Sequence, residues 1–284
     1  MSNSRSPSSS TSTMRQYLEK ARTLAEGTSI GIIARWITWP LENAYYQATL
    51  QSDKPSYPKI YWDLCSFTTL YKLNHIFLTA GLFQTCAKSF TNMGFVAYVD
   101  RYYSEYTSLQ KGFWSGMYAV VPETLSTSRS EYRKVQEFMK LKTGCQSPII
   151  NHGRWSRENG RIVSASLGRS AWSACITFPG IYKTAELLEP LFSDPENQRP
   201  AIKAIAAITF SLAGQPLIMP AINYQTTVLA TPDQPLLQSA KQLTEAGANK
   251  WVEGSLGRGI CQAVRYGISF FLLEKLKEYH DIPR

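Results

Sequence analysis

The chain has 284 residues, a formal charge of +9 and 44% hydrophobic residues, with a mean hydropathy of −0.22, which suits two ordinary soluble domains or one polytopic helical bundle. Its five cysteines, Cys65, Cys86, Cys145, Cys175 and Cys261, form no CxxC pair, and His75, His152 and His280 lie far apart. Zinc binding and Ser/His/Asp or HExxH catalysis therefore have no motif to rest on, and the basic balance has no RNP-type or zinc-finger motif beside it, so it is read as serving a membrane surface or an anion pocket.

Residues 1–13, MSNSRSPSSSTST, are serine-rich with no apolar stretch, so residues 1–15 read as a disordered tail and not as a secretory signal. From Gln16 to Leu50 the pattern is helical, with Gly27 and Gly31 one turn apart and Pro40 in the middle. A proline inside a soluble helix costs ~3 kcal/mol or more, whereas in a membrane bundle neighbouring helices re-satisfy the freed carbonyl. Pro40 therefore points to a membrane helix. A turn at SDKPSYP and a short amphipathic segment near Ile60–Leu70 lead to a helix from Ala80 to Tyr103, and the stretch 73–87 carries no formal charge.

A second helix with a proline runs from Gly112 through Pro122. It leads to a polar loop around TGCQSP, where Lys140 is also placed, then the segment NHGRWSRENG and a helix from Ile162 to Leu188. A third begins near Ile202 and passes Pro216 within 204–232, a stretch without any charged residue and long enough for a bilayer crossing, which needs about 20 predominantly apolar residues. A loop at TPDQP, the segment LLQSAKQLTEAG and a helix from Trp251 to Glu278 complete it. The order therefore occurs three times. SLGR stands at 166–169 and again at 255–258, in matching places of the last two copies, while Gly81 with Gly254 and Pro40 with Pro216 repeat at about twice that interval.

The third copy, EAGANKWVEGSLGRGICQAVRYGISFFLLEKLK, resembles the mitochondrial carrier family, whose repeats carry Px[DE]xx[KR], then EGxxxxYKG, then a helix ending in [FY][DE]xx[RK]. It keeps Gly247 and Gly254 at the family's spacing, Arg258, Phe270 and the closing Glu274 with Lys277, while Leu273 replaces an aromatic. WPLENAYYQ keeps Pro40 and Glu42 with Tyr45 in place of a base, and QPLIMPAINYQ keeps Pro216 and Gln225 with Ile218 and Ala221 at the charged positions. In the second copy Pro122 and Glu123 are out of step by one, and Tyr182, Lys183 and Glu186 form the closing motif with its charges swapped. The resemblance covers about residues 20–280.

It implies an all-α membrane protein of six transmembrane helices in three pseudo-symmetric repeats, 16–106, 107–192 and 193–284, with short surface helices. It also implies a monomer in the mitochondrial inner membrane, without enzymatic activity, cofactor, metal or nucleic-acid partner, that contacts lipid and a small anionic substrate. Lys88, Trp172 or Ser173, and Cys261 or Gln262 match the family's substrate contact points, and Arg35, five residues before Pro40, matches a cavity base of nucleotide carriers. Two bases and an aromatic suit an anion with a flat ring, a nucleotide such as ADP or ATP. Pro40, Glu42, Pro216, Arg169, Arg258, Glu274 and Lys277 are the expected gate and structural residues. Other readings stand beside these: a non-transporting membrane scaffold with eroded gate motifs, or a soluble helical interaction protein. Glu274 and Lys277 suit a surface pair worth ~0.2–0.5 kcal/mol, and Arg35 and Lys88 suit cations reaching for headgroups.

Overall fold

The computed structural model describes residues 9–50, 82–143 and 157–281, and every regular element among them is helical. Helix α1 spans Ser9–Leu50, with Pro40 inside it. Helix α2 (Leu82–Ser89) passes through a π-turn at Phe90–Gly94 into α3 (Phe95–Tyr102). Helices α4 (Ser108–Thr143) and α5 (Arg157–Leu188) carry Pro122 and Pro179. Helix α6 (Arg199–Ala213) meets α7 (Gln215–Ala230) at Gly214 with a bend of 59°. Two short helices, α8 (Leu236–Glu245) and α9 (Ala248–Val252), precede the last one, α10 (Ser255–Asp281).

The helices form three antiparallel pairs: α1 against α2 and α3, α4 against α5, and α6 against α10. These join edge to edge, α2 and α3 on α4, α5 on α6 and α7, and α10 back on α1, so the rods close into a ring. Glycines allow the pairs to approach. A Cβ on Gly27 would lie 2.4 Å from the Met93 carbonyl oxygen, and one on Gly112 would lie 2.5 Å from the Pro179 backbone. The first turns of α1 and the end of α10 meet at one end of the ring, where Arg22 and Glu26 lie against His280, the terminal end; α4, the start of α5 and the end of α7 meet at the other, the linker end, where Gln136 donates to the Leu229 carbonyl and Arg161 to the Pro232 and Asp233 carbonyls.

Several sequence expectations shift. Helix α1 begins at Ser9, so residues 9–15 of the expected disordered tail are helical. Lys140 is inside α4 and not in a loop. The helix expected from Trp251 is two: Trp251 ends up in α9, and α10 starts after Gly254, whose φ of 82° breaks the rod. Gly247, the other member of that motif, has φ 99° at the start of α9, a conformation in which glycine avoids the Cβ penalty. The segments around Ile60–Leu70, SDKPSYP and Gly81, and the greater part of TGCQSP and NHGRWSRENG, lie outside the described residues. Among the cysteines, Cys261 is buried and Cys175 is exposed.

No single helix among the described residues is long and apolar enough to cross a membrane; the bent pair of α6 and α7 has the length and composition to do so.

Candidate functional site: a cationic cavity inside the ring

The proteins of aqueous solution place charge outside and apolar side chains inside. This ring departs from that pattern at several positions. Arg265, Glu123, Arg169 and Lys88 are at most 9% exposed, while Leu125 is 71%, Trp36 61%, Leu217 59% and Ile37 54% exposed. The helical period explains how one sequence makes both faces. On α10, Arg258, Gln262 and Arg265 follow at steps of four and three and share one side, as do Arg169, Ser173 and Thr177 on α5. These two stripes line a cavity together with Arg35 and Glu42 of α1, Lys88 and Asn92 on the α2 side, and Glu123 of α4. Tyr266 and Phe178 supply its aromatic wall.

Charge pairing in the cavity runs between helices. Arg265 of α10 pairs with Glu42 of α1, and Lys88 of α2 pairs with Glu131 of α4. The Arg169 Nη2 donates to Glu123 Oε1 at 3.1 Å and to Glu131 Oε1 at 3.3 Å. Gln225 of α7 donates to Glu131 Oε2 at 2.7 Å and to Ser166 Oγ at 2.9 Å. Five cations, Arg35, Lys88, Arg169, Arg258 and Arg265, line the cavity. Among the described residues three carboxylates, Glu42, Glu123 and Glu131, oppose them, an excess of two positive charges. The Arg35 guanidinium makes no ion pair or hydrogen bond among the described residues. Ser170 Oγ, Gln215 Oε1 and Gln262 Oε1 are buried there without a hydrogen-bond partner among the described residues. The free space is about 60 Å³, enough for roughly four waters at ~10–15 Å³ each, so the ring in this form is nearly closed on its centre.

A second charge layer lies at the terminal end. Lys277 reaches Asp100 Oδ2 at 2.6 Å and Glu274 Oε1 at 2.7 Å. The Tyr182 hydroxyl donates to Asp100, and the Lys203 ammonium lies 3.9 Å from the centre of the Tyr182 ring. Arg199 adds a longer contact of 3.6 Å to Glu274. Between the two layers Ile30, Met93, Val96, Phe178, Ile181, Phe270 and Leu273 pack into a buried apolar cluster.

No protein-family model matches this chain, and no curated protein matches its sequence.

Of the expected substrate contacts, Arg35, Lys88, Ser173 and Gln262 line the cavity. The alternatives one residue away do not. Trp172 is exposed, its indole N–H donating to the Leu217 carbonyl at 2.8 Å, and Cys261 is buried outside the lining. Adjacent residues of a helix point about 100° apart, so the neighbour of a cavity residue faces another helix or the outside. Among the expected gate residues, Arg169, Arg258 and Glu42 line the cavity. Thus both arginines of the SLGR pair reach the same space. Glu274 and Lys277 belong to the terminal layer and not to a surface pair, since the Glu274 side chain is 3% exposed. Pro40 sits inside α1, and Pro216 sits exposed in the first turn of α7, just beyond the break. The sequence reading missed Glu131, Arg265, Asp100, Lys203 and Tyr266. Arg265 and Tyr266 were findable, because they continue the Arg258–Gln262 stripe by one turn.

Proposed function

We propose that the chain is a membrane-embedded carrier that moves a small anionic metabolite through the centre of the ring, with a nucleotide such as ADP or ATP as the first substrate to try. The observation that carries this reading is the buried cationic cavity inside a ring whose outer faces are apolar. Buried ionisable groups are costly in a membrane and mark solute paths or relays, and exposed apolar belts mark a membrane or partner face. Six helical rods, α1, α2 with α3, α4, α5, α6 with α7, and α10, would be the transmembrane segments of three repeats, with α8 and α9 as surface helices. The charges that dilute the hydropathy of α1, α4 and α10 include Arg35, Glu42, Glu123, Glu131, Arg258 and Arg265, which serve the cavity. On the carrier resemblance we assign the protein to the mitochondrial inner membrane as a monomer.

Transport follows by differential affinity. A substrate that binds best to the form between inward-open and outward-open lowers the barrier between them, without covalent chemistry. The nearly closed cavity must open to admit a nucleotide, whose ring would stack on Tyr266 in the role expected of Trp172.

One observation favours a non-transporting scaffold instead. Lys88, Arg169 and Arg265 of the cavity already have internal carboxylate partners, as a purely structural core would need. The two readings part in proteoliposomes. A carrier takes up labelled ADP, phosphate or a dicarboxylate above the level of protein-free vesicles, and stays in the membrane under alkaline carbonate. Retention in carbonate with no uptake across that panel would leave the scaffold, and release by carbonate alone would end both.

A further inference from the structure

Glu131 joins four rods at once: it stands on α4 and meets Lys88 of α2, Arg169 of α5 and Gln225 of α7. The two cations it holds both line the cavity, while Glu131 itself stands outside the lining. Its carboxylate takes the Lys88 ammonium and the Arg169 Nη2, the groups that a substrate oxyanion in the cavity would compete for, since carboxylate and phosphate oxygens take the same charge-assisted hydrogen bonds from them. Arg35, with no such partner among the described residues, remains to attract an anion first. We propose that Glu131 is an internal counter-anion, which occupies the oxyanion position of the empty protein and is displaced from Lys88 and Arg169 by a carboxylate or phosphate of the substrate.

Displacement has a mechanical consequence. Gln225 gives one hydrogen bond to Glu131 and another to Ser166. When Glu131 withdraws, α7 loses its tie to α4 through this residue, and α7 begins at the 59° break after α6, where the chain is already bent. Binding in the cavity is thereby converted into release of α7 at the linker end, which is the differential contact that a binding-driven rearrangement requires.

The inference rests on the anion-carrier reading of the same cavity, and one titration separates the two. The purified full chain in detergent is melted against rising ADP, inorganic phosphate and succinate, for wild type, Glu131→Gln and Glu123→Gln. The half-stabilising concentration is expected to fall at least tenfold in Glu131→Gln. It should fall at most threefold in Glu123→Gln, which removes the same charge from Arg169 but leaves Lys88 occupied. A phosphate subsite shows the gain with ADP and phosphate, and a carboxylate subsite shows it with succinate; either supports the displacement. Equal gains in the two variants would reduce Glu131 to bulk electrostatics and overturn the inference while leaving the carrier reading. A response in Glu131→Gln with none in wild type would support the counter-anion and count against wild-type transport of that anion. No response in any protein would overturn both. Should Glu131→Gln fail to fold, Glu131→Asp keeps the charge on a shorter arm, and an unchanged half-stabilising concentration there overturns the inference.

Discussion

The two buried charge layers of the ring use the same residue types but differ in how completely they close. At the terminal end, Asp100 and Glu274 are met by Lys277, with Arg199 on Glu274, the Tyr182 hydroxyl on Asp100 and Lys203 against the Tyr182 ring. Among the described residues, Asp100, Glu274, Tyr182 and Lys203 hold no buried polar atom without a partner, and an apolar cluster packs directly beside the layer. Among the described residues of the central layer the cations outnumber the carboxylates, and Ser170, Gln215 and Gln262 hold buried oxygens that find no partner there. Each such group costs ~1–3 kcal/mol if nothing meets it. A protein can carry several only where water or a ligand supplies the missing partner. On the carrier reading proposed above, the terminal layer would serve as a seal and the central layer as a binding place.

The difference is sharpest in how each layer answers the loss of one charge. Asp100→Asn should give the largest effect, because removing one side of a buried, hydrogen-bonded ion pair costs ~3–5 kcal/mol. Its melting temperature in detergent should fall by several degrees without ligand. Lys88→Gln should follow, at ~1.5–3 kcal/mol for a lost charged hydrogen bond, since it strands Glu131 beside Arg169; unaltered melting would mean that the Lys88–Glu131 pair contributes nothing. Gly112→Val tests the frame that holds both layers in register. Overpacking of this kind costs ~1–3 kcal/mol, and a wild-type melting curve would contradict the close α4–α5 crossing. The smallest effect belongs to Lys250→Ala in an exposed pair with Glu253, where no measurable change is expected. If Arg35→Gln destabilised the empty protein as much as Asp100→Asn does, the contrast between seal and binding place would be lost.

Much of the frame was legible before any coordinates. Pro40, Pro122 and the glycine pairs announced long helices in close contact, and the recurring SLGR marked two arginines that do reach one cavity. Helical periodicity is local, so sequence carries it well. The face that a single residue presents is less secure. A one-residue uncertainty between Trp172 and Ser173, or between Cys261 and Gln262, turns the side chain by about 100° and exchanges cavity for exterior. Partners across the ring were illegible. Lys88 lies 43 residues from Glu131, and Lys277 lies 177 from Asp100, so no spacing rule connects them. Glu131 itself looked like one acid among the polar residues of SEYRK, and only the bundle shows that its side chain turns inward.

We propose that an anion crosses the ring on the cations of the central layer, and Arg35 is the sharpest probe because its guanidinium has no ion-pair partner among the described residues. Proteoliposomes carrying wild type or Arg35→Gln, matched for protein content and for melting temperature, are compared for initial uptake of the best anion in the panel. The loss of one charge-assisted hydrogen bond, ~1.5–3 kcal/mol, predicts that uptake by Arg35→Gln falls at least tenfold while its melting stays at or above that of wild type. Undiminished uptake by Arg35→Gln would contradict the claim that the substrate passes through this cavity.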